Sequence, residues 1–190
     1  MLSNLALINF LFYLAYVFLI TIVGLVIKFD FFTLRIGNLF GQVAVAFYIL
    51  TLLSGIFRRL NYNFTPINLL RLYRRHLGIS MFLCALSHLI LVKLGSFQTI
   101  SAIFYQNPAD LFGSLAVLLS LLLFITSNDY SQRLLKTFWF VLHRLTYIIM
   151  FFIFLHLALL GSLKWSGLFL VVIALEIISY LVNFHSSPKS

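Results

Sequence analysis

The chain has 190 residues, 63% of them hydrophobic and only 9% charged, where a soluble domain carries about 25% charged residues. Soluble globular and disordered classes are excluded, and an integral membrane protein remains. The net charge of +9, from 13 Lys+Arg against 4 Asp+Glu, lies mostly in short connections between apolar runs, which follows the positive-inside rule and argues against a nucleic-acid partner.

Six apolar segments predict transmembrane helices at about 5–27, 38–57, 77–94, 111–127, 138–161 and 165–184. The expected fold is an all-α integral membrane protein, a six-helix bundle forming a single domain over 1–190. The first run has no basic residue before it and is too long for a signal-peptide core, so it reads as a retained span. Gly37 and Gly41 open the second span as a GxxxG packing signal. Between spans 2 and 3, Thr65 and Pro66 read as an N-cap and N1 pair. After them Leu69, Leu70, Leu72 and Tyr73 alternate with Arg71, Arg74 and Arg75. This predicts a short interfacial helix, an anchor on anionic lipid and a docking surface.

Further along, the single Cys84 excludes an intrachain disulfide framework and a Cys-rich metal site. Asp110, after Pro108, reads as a helix N-terminal residue. Trp139, Trp165 and Tyr73 fit aromatic belts. Glu176, inside the last span, is either a proton relay or a hydrogen-bonding group toward a neighbouring helix. Arg58, Arg59, Arg71, Arg74, Arg75, Arg133, Lys136 and Lys189 fall on one side, against Lys28, Arg35, Lys93 and Lys164 on the other. That asymmetry predicts both termini in the cytoplasm, in a multi-pass protein of the inner membrane.

The histidines carry the functional signal. His185 lies in the polar tail, but His76 and His88 are 12 apart on span 3, and His143 and His156 are 13 apart on span 5. These separations rise about 18 and 19.5 Å along a helix. One axial shift between the two parallel helices brings His76 level with His143 and His88 level with His156. Twelve steps turn a side chain by about +120° and thirteen by about −140°, so facing helices aim both members of each pair at a shared point. Two paired-imidazole sites stacked across a membrane point to two hemes, with His76/His143 and His88/His156 as axial ligands. Arg144, directly after His143, and Arg75 are candidate partners for heme propionates. Zinc fits poorly, because no matched Asp, Glu or Cys completes a compact shell. A proton or ion path through His and Glu176 is the rival of another class, and an assembly subunit is a second.

Two stretches carry a resemblance. The run RRHLGISMFLCALSHLI (Arg74–Ile90) resembles the third-span signature of the MsrQ/YedZ family. The run ITSNDYSQRLLKTFWFVLHRLTYIIMFFIFLHLAL (Ile125–Leu159) resembles its fourth-loop and fifth-span signature. That family belongs to the ferric reductase-like transmembrane domains, relatives of the NADPH oxidase membrane core. The likeness covers roughly residues 38–160. It implies b-type heme, with His88, His143 and His156 matching the family's ligand histidines. It also implies electron flow from a cytosolic flavin reductase or quinol, with FMN or quinone as the delivering cofactor, to an extracytoplasmic acceptor. In MsrQ that acceptor is a molybdenum-containing partner that reduces methionine sulfoxide. The chain departs from the family at His76, a position usually not histidine, and at Ser54–Arg59, where a Thr-Pro-Leu-Arg pattern is missing. His76 brings the set closer to a two-heme ferric, oxygen or quinone reductase core.

Overall fold

The computed structural model describes residues 2–29, 33–94 and 107–186. Lys189 lies outside them, and so do the side chains of Lys28 and His185. The helices in chain order are α1 (Leu2–Phe29), α2 (Thr33–Arg59), α3 (Thr65–Leu72), α4 (Arg74–Leu94), α5 (Pro108–Ile125), α6 (Asp129–Leu135), α7 (Thr137–His143), α8 (Leu145–Leu159) and α9 (Leu163–Ser186).

Six stretches are long and apolar enough to cross a membrane: Ile8–Ile27, Leu34–Arg59, Arg74–Lys93, Pro108–Ile125, Thr137–Leu159 and Leu163–Phe184. They match the six expected spans. The second is longer than the apolar run predicts, because the helix continues through Arg58 and Arg59. The fifth is α7 followed by α8, joined at Arg144, whose φ −70° and ψ −14° remain helical. The interfacial helix is α3, with one correction at its start. Phe64, extended at φ −135° and ψ 160°, occupies the N-cap position and makes no side-chain cap bond. Thr65 and Pro66 are therefore the first two helical residues, where proline's missing N–H costs nothing. Arg71 ties this helix back to its approach, donating to Asn63 Oδ1 at 2.8 Å and to the Tyr62 carbonyl at 3.0 Å.

The helices close into a ring. α2 packs most extensively on α4, and α5 on α8; α9 joins α2 to α8, and α4 meets α5. α1 stands outside this ring, against α4. Lipid tails are as apolar as leucine side chains, so helix association rests on close packing and on satisfied polar groups. Both are visible. Ser54, Ser87, Ser120 and Ser179 are buried at helix contacts, and each hydroxyl donates to a carbonyl three or four residues back in its own helix. The inner half of the ring is filled by Tyr48, Leu52 and Ile56 of α2, Ile149 of α8 and Phe169 of α9. The Tyr48 and Phe169 rings lie parallel at 6.0 Å, and the Tyr48 hydroxyl donates to the Thr146 carbonyl.

One buried ion pair fastens α2 to α9. Arg59 pairs with Glu176, donates from Nε to Ser179 Oγ at 2.8 Å, and lies 4.2 Å from the Tyr180 ring centroid. Of the two roles open to Glu176 in the sequence, the structure gives it the contact with a neighbouring helix. Removing one member strands a desolvated charge, a loss of about 3–5 kcal/mol. Glu176→Leu in the presence of native Arg59 is therefore expected to melt much earlier in detergent. The double variant Arg59→Met/Glu176→Leu, which removes both charges, is expected to recover most of that loss. Thermal denaturation followed by circular dichroism checks both.

Candidate cofactor site

His88 of α4 and His156 of α8 face each other across the ring and line one cavity of about 300 Å³. Each imidazole is fixed in the same way by the helix beside its own. His88 Nδ1 donates to the Gly37 carbonyl of α2 at 2.8 Å, and His156 Nδ1 to the Ala109 carbonyl of α5 at 2.7 Å. A carbonyl only accepts, so Nδ1 carries the proton and Nε2 keeps its lone pair. No hydrogen bond among the described residues engages either Nε2. This is the arrangement that orients a histidine for metal ligation.

The local sequence makes room for it. Four residues after each accepting carbonyl stands a glycine: Gly41 after Gly37, Gly113 after Ala109. Those positions share a helix face. A Cβ at Gly41 would stand 2.9 Å from His88 Nδ1, and one at Gly113 2.8 Å from His156 Nδ1. Each imidazole therefore occupies the space of a missing side chain. Gly37 serves the packing role expected of GxxxG, since a Cβ there would meet Val92 Cγ2 at 3.0 Å. Gly41 serves the histidine instead. Gly113 went unnoticed in the sequence, because the residue four before it is Ala109 and not a second glycine.

The two rings have centroids 6.4 Å apart and planes inclined at 71°. Two imidazoles bound on opposite sides of one metal ion, at ordinary bond lengths of about 2 Å, place their centroids roughly 6 Å apart. Among the described residues no group of three or more His, Cys, Asp or Glu side chains is placed to hold a metal ion. A metal held here must bring its own equatorial donors, which an iron porphyrin does. The wall is chiefly apolar, with Val45, Met81, Ala116, Val117, Ile149 and Ile153 on it. The residues fit a heme with two axial histidines.

The structure does not bring His76 and His143 together. His76 turns to α1, where Nε2 meets Asn9 Oδ1 at 2.9 Å and Nδ1 meets the Tyr16 hydroxyl at 3.3 Å. Its ring stacks on Phe12, with centroids 4.3 Å apart. Asn9 and Tyr16 thus engage both nitrogens. His143 donates from Nδ1 to the Trp139 carbonyl at 3.0 Å and stacks on the Trp139 ring at 3.8 Å. Its Nε2 is buried and has no hydrogen-bond partner among the described residues. Arg144 is exposed. Arg75 pairs with Asp129 at 2.6 Å, and the guanidinium holds that carboxyl below the usual carboxylate range. Lys93, placed by the sequence among the outer charges, is buried and paired with Asp110 at 2.8 Å. Asp110 is in the first turn of α5, as expected, and its N–H is capped by Asn107.

The family "Ferric reductase like transmembrane component" matches residues 40–154, more than half of the chain. Curated relatives in Brucella ovis, Brucella canis and Brucella suis are each 37% identical over 115 residues. Each bears the name protein-methionine-sulfoxide reductase heme-binding subunit MsrQ. The aligned part is 58% of this chain and 50% of each relative, so the chain spans about half the length of the curated relatives it matches. No solved structure gives a significant match.

Outer-shell partners of metal-bound histidines are worth about 10–100-fold in affinity. Gly41→Ala and Gly113→Ala each push a methyl into an imidazole and are expected to weaken iron-porphyrin binding by about that factor. Gly167→Ala, where a Cβ meets nothing within 4 Å, is expected to leave it unchanged. Heme titration of the purified apoproteins checks the set.

Proposed function

The chain belongs to the ferric reductase-like transmembrane component family, and from that premise we propose that it is a b-type heme protein conducting electrons across the membrane. The observation that carries this reading is the His88–His156 pair, two oriented imidazoles on one cavity with their centroids 6.4 Å apart.

Heme bound there supplies reversible one-electron iron chemistry. Everything else falls to the chain. His88 and His156 would hold the heme through Nε2. The Gly37 and Ala109 carbonyls fix both rings and raise their basicity as ligands. The apolar wall excludes water, which sets the dielectric around the site and with it the potential. His143 adds a second imidazole toward the other end of span 5, and its buried, unengaged Nε2 supports a second heme there. His76 remains with α1 and is a packing residue in this reading.

Exposed Arg58, Arg74, Arg75, Arg133, Lys136 and Arg144 gather at the end of the bundle where spans 2 and 4 finish and spans 3 and 5 begin. That end is cytoplasmic by the positive-inside rule. Its positive field steers an acidic donor, a cytosolic flavin reductase carrying FMN, or admits electrons from membrane quinol. Electrons then leave from the His88–His156 level toward an extracytoplasmic acceptor. The curated relatives' name makes a methionine sulfoxide reductase the first acceptor to try.

Dithionite-reduced minus oxidised spectra of purified protein, with heme per chain quantified, test the reading. Wild type is expected to carry two hemes. His88→Ala and His156→Ala each lose one, His143→Ala loses the other, and His76→Ala keeps both. Loss of one heme in His76→Ala would restore the four-histidine arrangement. A wild type without any heme band would turn the reading toward an ion path or assembly role.

A further inference from the structure

A charged pair stands in the wall of the His88–His156 cavity and has no part in holding the imidazoles. Lys93 Nζ and Asp110 Oδ2 lie 2.8 Å apart, and both residues line the cavity. The lysine side chain is 9% exposed and the aspartate 22%. Helix ends favour the two signs: Lys93 is in the last turn of α4 and Asp110 in the first turn of α5. A buried pair is nonetheless weak as a source of stability, because an apolar pair of similar volume does as well or better. Its position is more telling. Lys93 follows His88 by five residues, about 7.5 Å along α4. Asp110 directly follows Ala109, whose carbonyl orients His156. The pair therefore shares one cavity wall with both imidazoles and joins α4 to α5, the helices that carry His88 and support His156.

Resting on the heme reading above, we propose that Lys93 and Asp110 each act on the reduction potential of a heme held by His88 and His156, in opposite directions, and that their pairing in the cavity wall keeps the two effects in balance. Reduction takes the iron from the ferric to the ferrous state with one electron and removes one positive charge from it. An uncompensated ammonium nearby favours the ferrous form and raises the potential. An uncompensated carboxylate favours the ferric form and lowers it. At roughly 10 Å and an effective dielectric of about 20, one unit charge shifts such an equilibrium more than tenfold. Paired, the two shifts largely cancel, so the site is insensitive to the pair as a whole and sensitive to either member.

Spectroelectrochemical titration of full-length protein in detergent tests this, with heme content measured on each sample. Asp110→Asn, close in shape, is expected to raise the midpoint of the His88–His156 heme by a tenfold or larger change in the one-electron equilibrium, about 59 mV or more. Lys93→Met is expected to lower it by a similar factor. The double variant is expected to return to within a few-fold of wild type, and Lys93→Arg to stay there. Packing alone would move both single variants in the same direction, or neither, and would overturn the proposal. So would heme retained at an unchanged midpoint in Asp110→Asn, which decides the matter by itself if Lys93→Met fails to accumulate. A wild type that binds no heme at His88 and His156 overturns the functional reading itself, and the proposal with it.

Discussion

Everything at the centre of this bundle depends on two hydrogen bonds between imidazole and main chain. A histidine inside a membrane has many poses, and most aim a nitrogen at nothing useful. Here each Nδ1–H is bound to a carbonyl of the neighbouring helix, which fixes tautomer and ring direction together. The carbonyls already belong to helical ladders. They are reachable only because glycine stands one turn further on, at Gly41 and at Gly113. The packing of α2 on α4 and of α5 on α8 is the condition for those contacts, and these are the two most extensive helix contacts in the ring. Helix packing and ligand orientation are one interaction seen at two scales.

The same logic governs the other charged and polar side chains of the interior. A bilayer-spanning bundle has no water with which to satisfy them, so three of these groups take partners on a neighbouring helix. Arg59 meets Glu176, Lys93 meets Asp110, and His76 meets Asn9 and Tyr16. These pairs join α2 to α9, α4 to α5 and α1 to α4. They lie on different seams of the assembly, so each fixes the register of one helix pair.

The six spans were legible because apolar length is a direct consequence of membrane thickness. That His88 and His156 face each other was legible because helical rise and rotation are constants. Less was visible wherever the partner lay on a helix whose neighbour the sequence does not name. Arg59 looked like a loop charge, since the apolar run stops two residues earlier, and its long side chain reaches back to Glu176. Lys93, near the end of the predicted third span, looked like an outer charge because its partner Asp110 stands on another helix. His76 had the right spacing to pair with His143, but spacing says nothing about α1, which lies against α4 and supplies Asn9, Phe12 and Tyr16. Gly41 carried a motif with a familiar packing meaning, and only the position of His88 gives it another.

The order of the halves along the chain has a consequence for synthesis. Gly37, Gly41 and His88 belong to the first half, while Ala109, Gly113 and His156 belong to the second. Each half completes one oriented imidazole from its own residues, and neither half holds both. While the chain emerges from the ribosome, α2 and α4 are able to settle first and wait with one ligand in place. In the proposed function, a heme would find both imidazoles only after residue 156 has entered the membrane. A heme held by both imidazoles would then join two separately inserted hairpins. On that reading the supply of heme would act as a checkpoint on assembly, felt as the protein's resistance to membrane proteases.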